Sequence, residues 1–182
     1  EIVRLRGHFA RSNPHWQALQ QDPRATMIFN GPNAYMSAQW YSPECKAAPS
    51  WNFVTVHVNG RVRLLDTPEE TTAIVNETIA VNEAELPTQW SIESYSPERR
   101  AALTPHILGF ALDAESVEPK FKLLQHYADE DKIGAIAGLR ARGTDATREI
   151  ADLMEQTLGQ GGRHLDVAKR LGPEPEARKS ST

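Results

Sequence analysis

The sequence predicts an α+β fold, a small β-barrel with helices packed outside it. Three observations carry this expectation. From Ser50 to Asp66, apolar residues fall on every second position (Val54, Val56, Val58, Val62 and Leu64), the period of a half-buried strand. The first half of the chain is strand-rich and the second helix-rich, with one returning strand at Ile107–Asp113. Helix starts stand out in between, above all Thr67-Pro68-Glu69-Glu70, a capping box with proline in its favoured place.

The long strand competes with a second reading, because Asn59-Gly60 is a strong hairpin signal. A two-residue hairpin would set Val58 against Arg61 and Val56 against Arg63, mixing the core face with two charges. A continuous strand keeps the valines together and turns both arginines outward. One strand, bent or bulged at Gly60, is therefore expected.

In chain order, residues 2–9 read as a strand, and Ser12-Asn13-Pro14 as a capped helix start leading through Trp16 and Leu19 to Asp22-Pro23. Ala25–Phe29 is a buried strand. Gly31-Pro32-Asn33 is read as a turn into a second extended segment, Ala34–Tyr41, and 42–49 as a loop. The capping box opens a helix bearing Ile74, Val75 and Ile79. Ser96-Pro97 opens a short helix through Leu103, and Glu118–Leu124 is mixed and charged. Asp129–Leu139 and Thr144–Leu158 are expected helices, stopped by Gly159–Gly162. The domain is expected to cover 1–158, with 159–182 a flexible tail rich in Pro, Glu and Lys from Gly172.

The 182 residues are 40% hydrophobic and 24% charged, the composition of a soluble domain with a real core. No apolar run approaches the roughly 20 residues that span a bilayer, so no membrane partner is expected. The formal net charge of -4 argues against wholesale attraction to nucleic acid. The single cysteine, Cys45, excludes an internal disulfide and suits a cytoplasmic location. The chain opens without methionine and directly on a strand, so it is expected to begin inside a domain whose first strands precede Glu1.

Three groups of residues carry possible chemistry. In Arg6-Gly-His-Phe-Ala-Arg-Ser-Asn-Pro14 a strand ends and a helix begins, and Arg11, Ser12 and His8 could bind a phosphate; surface arginines beside a capped helix are the plainer alternative. Tyr35, Trp40, Tyr41, Trp51 and Phe53 could line a slot for a planar ring, with Asn52 as a polar handle, or simply pack a core. Lys120-Phe121-Lys122 could hold an anion or guard a sheet edge. The six histidines show no metal spacing, and no metal is expected.

These blocks resemble a known family. Arg6–Pro14, Phe29-Asn-Gly-Pro-Asn-Ala-Tyr35, Trp40-Tyr41, Trp51-Asn-Phe-Val-Thr-Val-His-Val-Asn-Gly60, Lys120-Phe-Lys-Leu123 and Ile136-Ala-Gly-Leu139 occur in this order in the PaiB-like FMN-binding negative transcriptional regulators. The resemblance covers roughly residues 5–155. It implies the FMN-binding split β-barrel, similar to pyridoxamine 5′-phosphate oxidases, with peripheral helices, a homodimer, and FMN at the subunit interface. It also implies that the first barrel strands are missing from this chain. By the same resemblance Arg11, with His8, Ser12 and Asn13, stands on the phosphate side. Trp40, Tyr41, Trp51 and Asn52 become candidates for the ring side or the dimer interface, while Lys120 and Lys122 match a block whose role is unassigned. The chain departs from the family at Leu124-Gln125-His126, at the edge of the expected site, so retention of FMN has to be measured.

Three functions remain open on this reading. The first is a flavin-binding repressor; with no basic recognition helix, any action on DNA is expected to be indirect. The second is a flavin-dependent oxidoreductase acting on a small molecule. The third is a flavin-free relative holding another planar ligand such as haem.

Overall fold

The computed structural model describes residues 3–159. Among them are four strands, β1 (Arg4–Ala10), β2 (Arg24–Met36), β3 (Ser50–Leu65) and β4 (Ile107–Lys122), in one sheet of order β1-β4-β3-β2. Five α-helices accompany them: α1 (His15–Gln21), α2 (Pro68–Glu83), α3 (Pro97–Leu103), α4 (Asp129–Arg142) and α5 (Asp145–Glu155). The class is α+β, one four-stranded sheet with accompanying helices. The chain divides into two compact units, Glu1–Met27 with His57–Val117 and Ile28–Val56 with Glu118–Thr182. The expected tail lies outside the described residues, as does the glycine stop beyond Gly159.

The first unit is built on antiparallel pairing. β1 runs against β4 with Arg4 opposite Asp113 and Ala10 opposite Ile107. Gly109 of β4 lies against Leu65 of β3 and Asp113 against Gly60, so β3 and β4 also run in opposite senses. β3 is one continuous strand, not a hairpin, and Val58, Gly60 and Val62 are buried while Arg61 and Arg63 are exposed. Gly60 is needed for close approach: an added Cβ would overlap the Asp113 carbonyl oxygen. The alternation slips at the end of the strand, where Leu65 rather than Leu64 is the fully buried residue. Leu65 packs with Ile74 of α2 and Ala111 of β4.

α2 begins with the first half of a capping box, the Thr67 hydroxyl accepting from the Glu70 N–H at 3.2 Å, while the Glu70 carboxylate takes the Thr67 hydroxyl at 3.3 Å. Ser96 caps α3 through the Arg99 N–H at 3.3 Å. The first helix departs from expectation. Pro14 is its cap rather than its first residue, and the Asn13 carboxamide oxygen, not Ser12, accepts from the His15 N–H at 3.0 Å.

The second unit packs α4 and α5 over the ends of β2, β3 and β4. Met36, Leu123, Leu139, Ile150 and Met154 are all fully buried there, each contributing roughly 2 kcal/mol by removal of apolar surface from water. α4 carries Asp129, Glu130 and Asp131 in its first turn and Arg140 and Arg142 in its last, matching the helix dipole, and stops at Gly143 with φ of 68°. Two expectations fail here. Gly31-Pro32-Asn33 is not a turn: β2 runs through it, with Gly31 tight against Val54, and ends at Met36 before a 3₁₀ turn at Ala38–Trp40. β4, expected at Ile107–Asp113, also runs on to Lys122. No helix of the described residues is long and apolar enough to cross a membrane.

Candidate functional site

In the first unit, the β1–α1 junction gathers Arg11, Ser12 and Asn13 in consecutive positions, with His8 exposed on β1 opposite Gly109. Arg11 is well tied. Its N–H donates to the His106 carbonyl at 2.8 Å, its Nε to the Pro105 carbonyl at 3.2 Å, and one terminal nitrogen to Asp66 at 2.6 Å. The Trp16 indole N–H donates back to the Arg11 carbonyl at 3.0 Å. A guanidinium has five N–H donors, so this half-exposed side chain keeps several for an oxyanion while its orientation is fixed. Phe9 packs on Phe110 at 4.7 Å and on His15 edge-on at 5.7 Å, which holds the strand end and the helix together.

In the second unit, the aromatic candidates separate. Trp51 is 53% exposed and meets Tyr35 edge-on at 5.8 Å, leaving ring surface open to solvent. Its neighbour Asn52 is fully buried; its amide donates to the Met154 sulfur at 3.2 Å, and its carbonyl oxygen has no partner among the described residues. Trp40 rests on α4, whose Gly134 and Gly138, one turn apart, leave room for its carbonyl and its indole. Tyr41 is buried against Tyr127 at 5.6 Å. Burial first, and then Tyr127, Cys45 and Asp131, push its phenol up to about 12, so it stays a neutral hydroxyl. That hydroxyl too has no partner among the described residues.

The two candidate lysines, Lys120 and Lys122, do come together. Lys122 donates to the Ser50 hydroxyl at 2.6 Å, and the Lys120 and Lys122 ammonium groups lie 5.9 and 6.0 Å from the centre of the Phe53 ring. Beyond them Leu124 takes φ of 60°, and the Gln125 side chain closes the turn, accepting from the Leu123 N–H at 3.0 Å and donating to the Phe121 carbonyl. The Leu-Gln-His departure is thus a self-bonded turn in this chain.

Comparison with known proteins places the chain. The family described as "Putative FMN-binding domain" matches residues 1–116. The chain belongs to this family. Among its relatives, protein PAI 2 of Bacillus subtilis, a protease synthase and sporulation protein, is 30% identical over 156 residues, covering 85% of this chain and 73% of that protein. An uncharacterised protein of Emericella nidulans, AN0679, is 27% identical over 183 residues, covering 84% of this chain and 72% of that protein. Two solved structures are similar at low identity. The flavocytochrome Anf3 of Azotobacter vinelandii is 11% identical with a TM-score of 0.45, covering 65% of this chain and 50% of its own. An FAD and haem binding protein of Mycobacterium smegmatis is 17% identical with a TM-score of 0.44, covering 78% of this chain and 60% of its own.

The span matched to the FMN-binding domain family holds His8, Arg11, Ser12, Asn13, Trp40, Tyr41, Trp51 and Asn52, whereas Lys120 and Lys122 fall beyond it. Sequence reasoning missed Asp66 and Met154, which occupy Arg11 and Asn52 respectively. Neither had a local signal: each contact joins residues more than fifty positions apart. It also did not foresee that Arg4 and Arg63 line one hollow of the first unit.

Proposed function

We propose that this FMN-binding-domain protein binds FMN as a PaiB-type homodimer and serves as a negative regulator of gene expression, acting on DNA only indirectly. Membership of the FMN-binding domain family over residues 1–116 carries the reading. In the first unit, Arg11 is the phosphate-side group: a fixed guanidinium with spare donors fits a phosphate dianion. His8, Ser12 and Asn13 are the accompanying polar groups. In the second unit, the exposed faces of Trp51 and Tyr35 suit a flat ring, and Lys120 and Lys122 suit negative charge near it. Bound FMN supplies reversible one- and two-electron redox chemistry; the protein's own groups orient it. The net charge of -4 supports the indirect route to DNA.

The test is a flavin fluorescence titration with FMN and with riboflavin, which lacks the phosphate. Arg11→Ala is expected to weaken FMN binding about tenfold or more through the lost charged hydrogen bonds, and to leave riboflavin unchanged. Equal FMN affinity in parent and variant rejects the phosphate assignment. Sedimentation with and without FMN tests the dimer. A flavin-dependent oxidoreductase is the second reading, favoured by the open aromatic surface at Trp51. Turnover of a reduced nicotinamide by the FMN-loaded protein would decide for it.

A further inference from the structure

We propose that the hollow formed by the β1–β4–β3 face and α2 in the first unit binds a small dianion with a short apolar body, either a phosphate monoester or a dicarboxylate. The residues arrive there for simple reasons. Arg4 and Arg6 are two apart on β1 and so share a face, opposite Asp113 and Ala111 of β4. Arg63 and Leu65 are two apart on β3, and Glu70, Ala73 and Ile74 come from the first turns of α2. Together they line a cavity of about 470 Å³, within the size of small-molecule sites.

The floor is apolar: Leu65, Ile74 and Ala111 are 5%, 3% and 1% exposed. The rim carries three arginines, each paired with one carboxylate, and of those carboxylates only Glu70 lines the cavity. That carboxylate is already engaged by Arg63 at 3.3 Å and by the Thr67 hydroxyl at 3.3 Å. Asp113 and Glu77, which do not line the cavity, hold Arg4 at 2.5 Å and Arg6 at 2.8 Å. Each arginine side chain is 50–59% exposed. These pairs fix the guanidinium groups at the rim and consume only part of their donors. A network serving only to staple β1 to α2 would not need an open hollow over an apolar floor. An oxyanion meeting two forks, with its carbon body on Leu65, Ile74 and Ala111, uses every feature present. The site does not depend on flavin binding, since Arg11 does not line it.

The experiment is calorimetric titration of the full chain at low ionic strength with phenyl phosphate, succinate and inorganic phosphate. One arm is expected to saturate near one ligand per chain: phenyl phosphate if the source is a phosphate monoester, succinate if it is a dicarboxylate. Arg6→Gln and Arg63→Gln should each weaken that ligand about tenfold. Arg24→Gln, at an exposed arginine paired with Asp22 outside the cavity, should leave it unchanged. Ala73→Leu, at an exposed helix position that lines the cavity, should weaken the phenyl ester by narrowing the hollow. Thermal melts confirm that each variant folds. The proposal is overturned if neither ligand saturates, if Arg63→Gln binds as the parent does, or if FMN competes with phenyl phosphate. In the last case the cavity belongs to the flavin.

Discussion

Gly60 offers a direct test of how the chain is threaded. An added Cβ there would overlap the Asp113 carbonyl oxygen and come within 2.9 Å of its carbonyl carbon and of the Leu112 Cδ2. The obstacle is mostly backbone of the neighbouring strand, which cannot rotate aside as a side chain can. Overpacking of this kind costs roughly 1–3 kcal/mol, and here the upper end applies. Alanine returns only about 0.5–1 kcal/mol as a better strand residue than glycine. The net expectation for Gly60→Ala is therefore a loss of roughly 2 kcal/mol, which in a chain of this size lowers Tm by roughly 4–8 °C. Gly60→Asn, larger still, should cost at least as much. The Asn substitution discriminates sharply, because an Asn59-Gly60 hairpin turn would need positive φ at this position and would accept asparagine readily. Positive-φ glycines occur in the described residues at 143 and 159, not at 60. Thermal unfolding followed by circular dichroism on the full chain is the assay. A Gly60→Asn protein melting with the parent would refute both the close approach and the continuous strand.

Other outcomes follow from the same geometry. Thr67→Ala removes the side-chain acceptor of the Glu70 N–H and should cost about 1 kcal/mol in urea unfolding, with Thr67→Ser retaining most of the stability. Gly143→Ala forces a Cβ into the left-handed region at the end of α4 and should cost roughly 1–2 kcal/mol by the same assay. Asn52→Leu removes a buried carbonyl oxygen that has no partner and should leave Tm unchanged or higher; a marked loss would mean that a water or ligand satisfies that oxygen. Hydrogen bonds from Arg24 hold the Asp22 carboxyl at about 2 against an ordinary 3.8. A depressed folded value adds stability above the ordinary value and loses it as pH falls toward the folded one. Arg24→Ala should therefore flatten the dependence of Tm on pH between 3.8 and about 2.

What was legible in the sequence is what local chemistry decides. The alternation of Val58, Gly60 and Val62 with Arg61 and Arg63 set the path of β3, and Thr67-Pro68-Glu69-Glu70 set the start of α2. What misled is what the sheet decides. Gly31-Pro32-Asn33 has turn composition, but among the described residues β2 stands at the edge of the four-stranded sheet, where proline's missing N–H is tolerated. The ladder with β3 therefore carries the chain straight through.

The candidate site shows why neighbours in sequence should not be assigned one role. Trp51 and Asn52 are adjacent, yet a strand sends successive side chains to opposite faces. Trp51 therefore ends 53% exposed, and Asn52 fully buried under α5. Trp40 and Tyr41 divide differently: the turn after β2 lays Trp40 on the glycine groove of α4 and buries Tyr41 beside Tyr127. Among the candidates of the second unit, Trp51, its edge-on partner Tyr35 and Lys120 are the exposed ones. Tyr41 and Asn52 each keep one buried polar atom without a partner, at a cost of roughly 1–3 kcal/mol apiece. Substitutions at these two positions therefore read out packing and buried polarity, while substitutions at Trp51 and Arg11 test the flavin contacts proposed for them. A flavin titration across all four separates support from recognition.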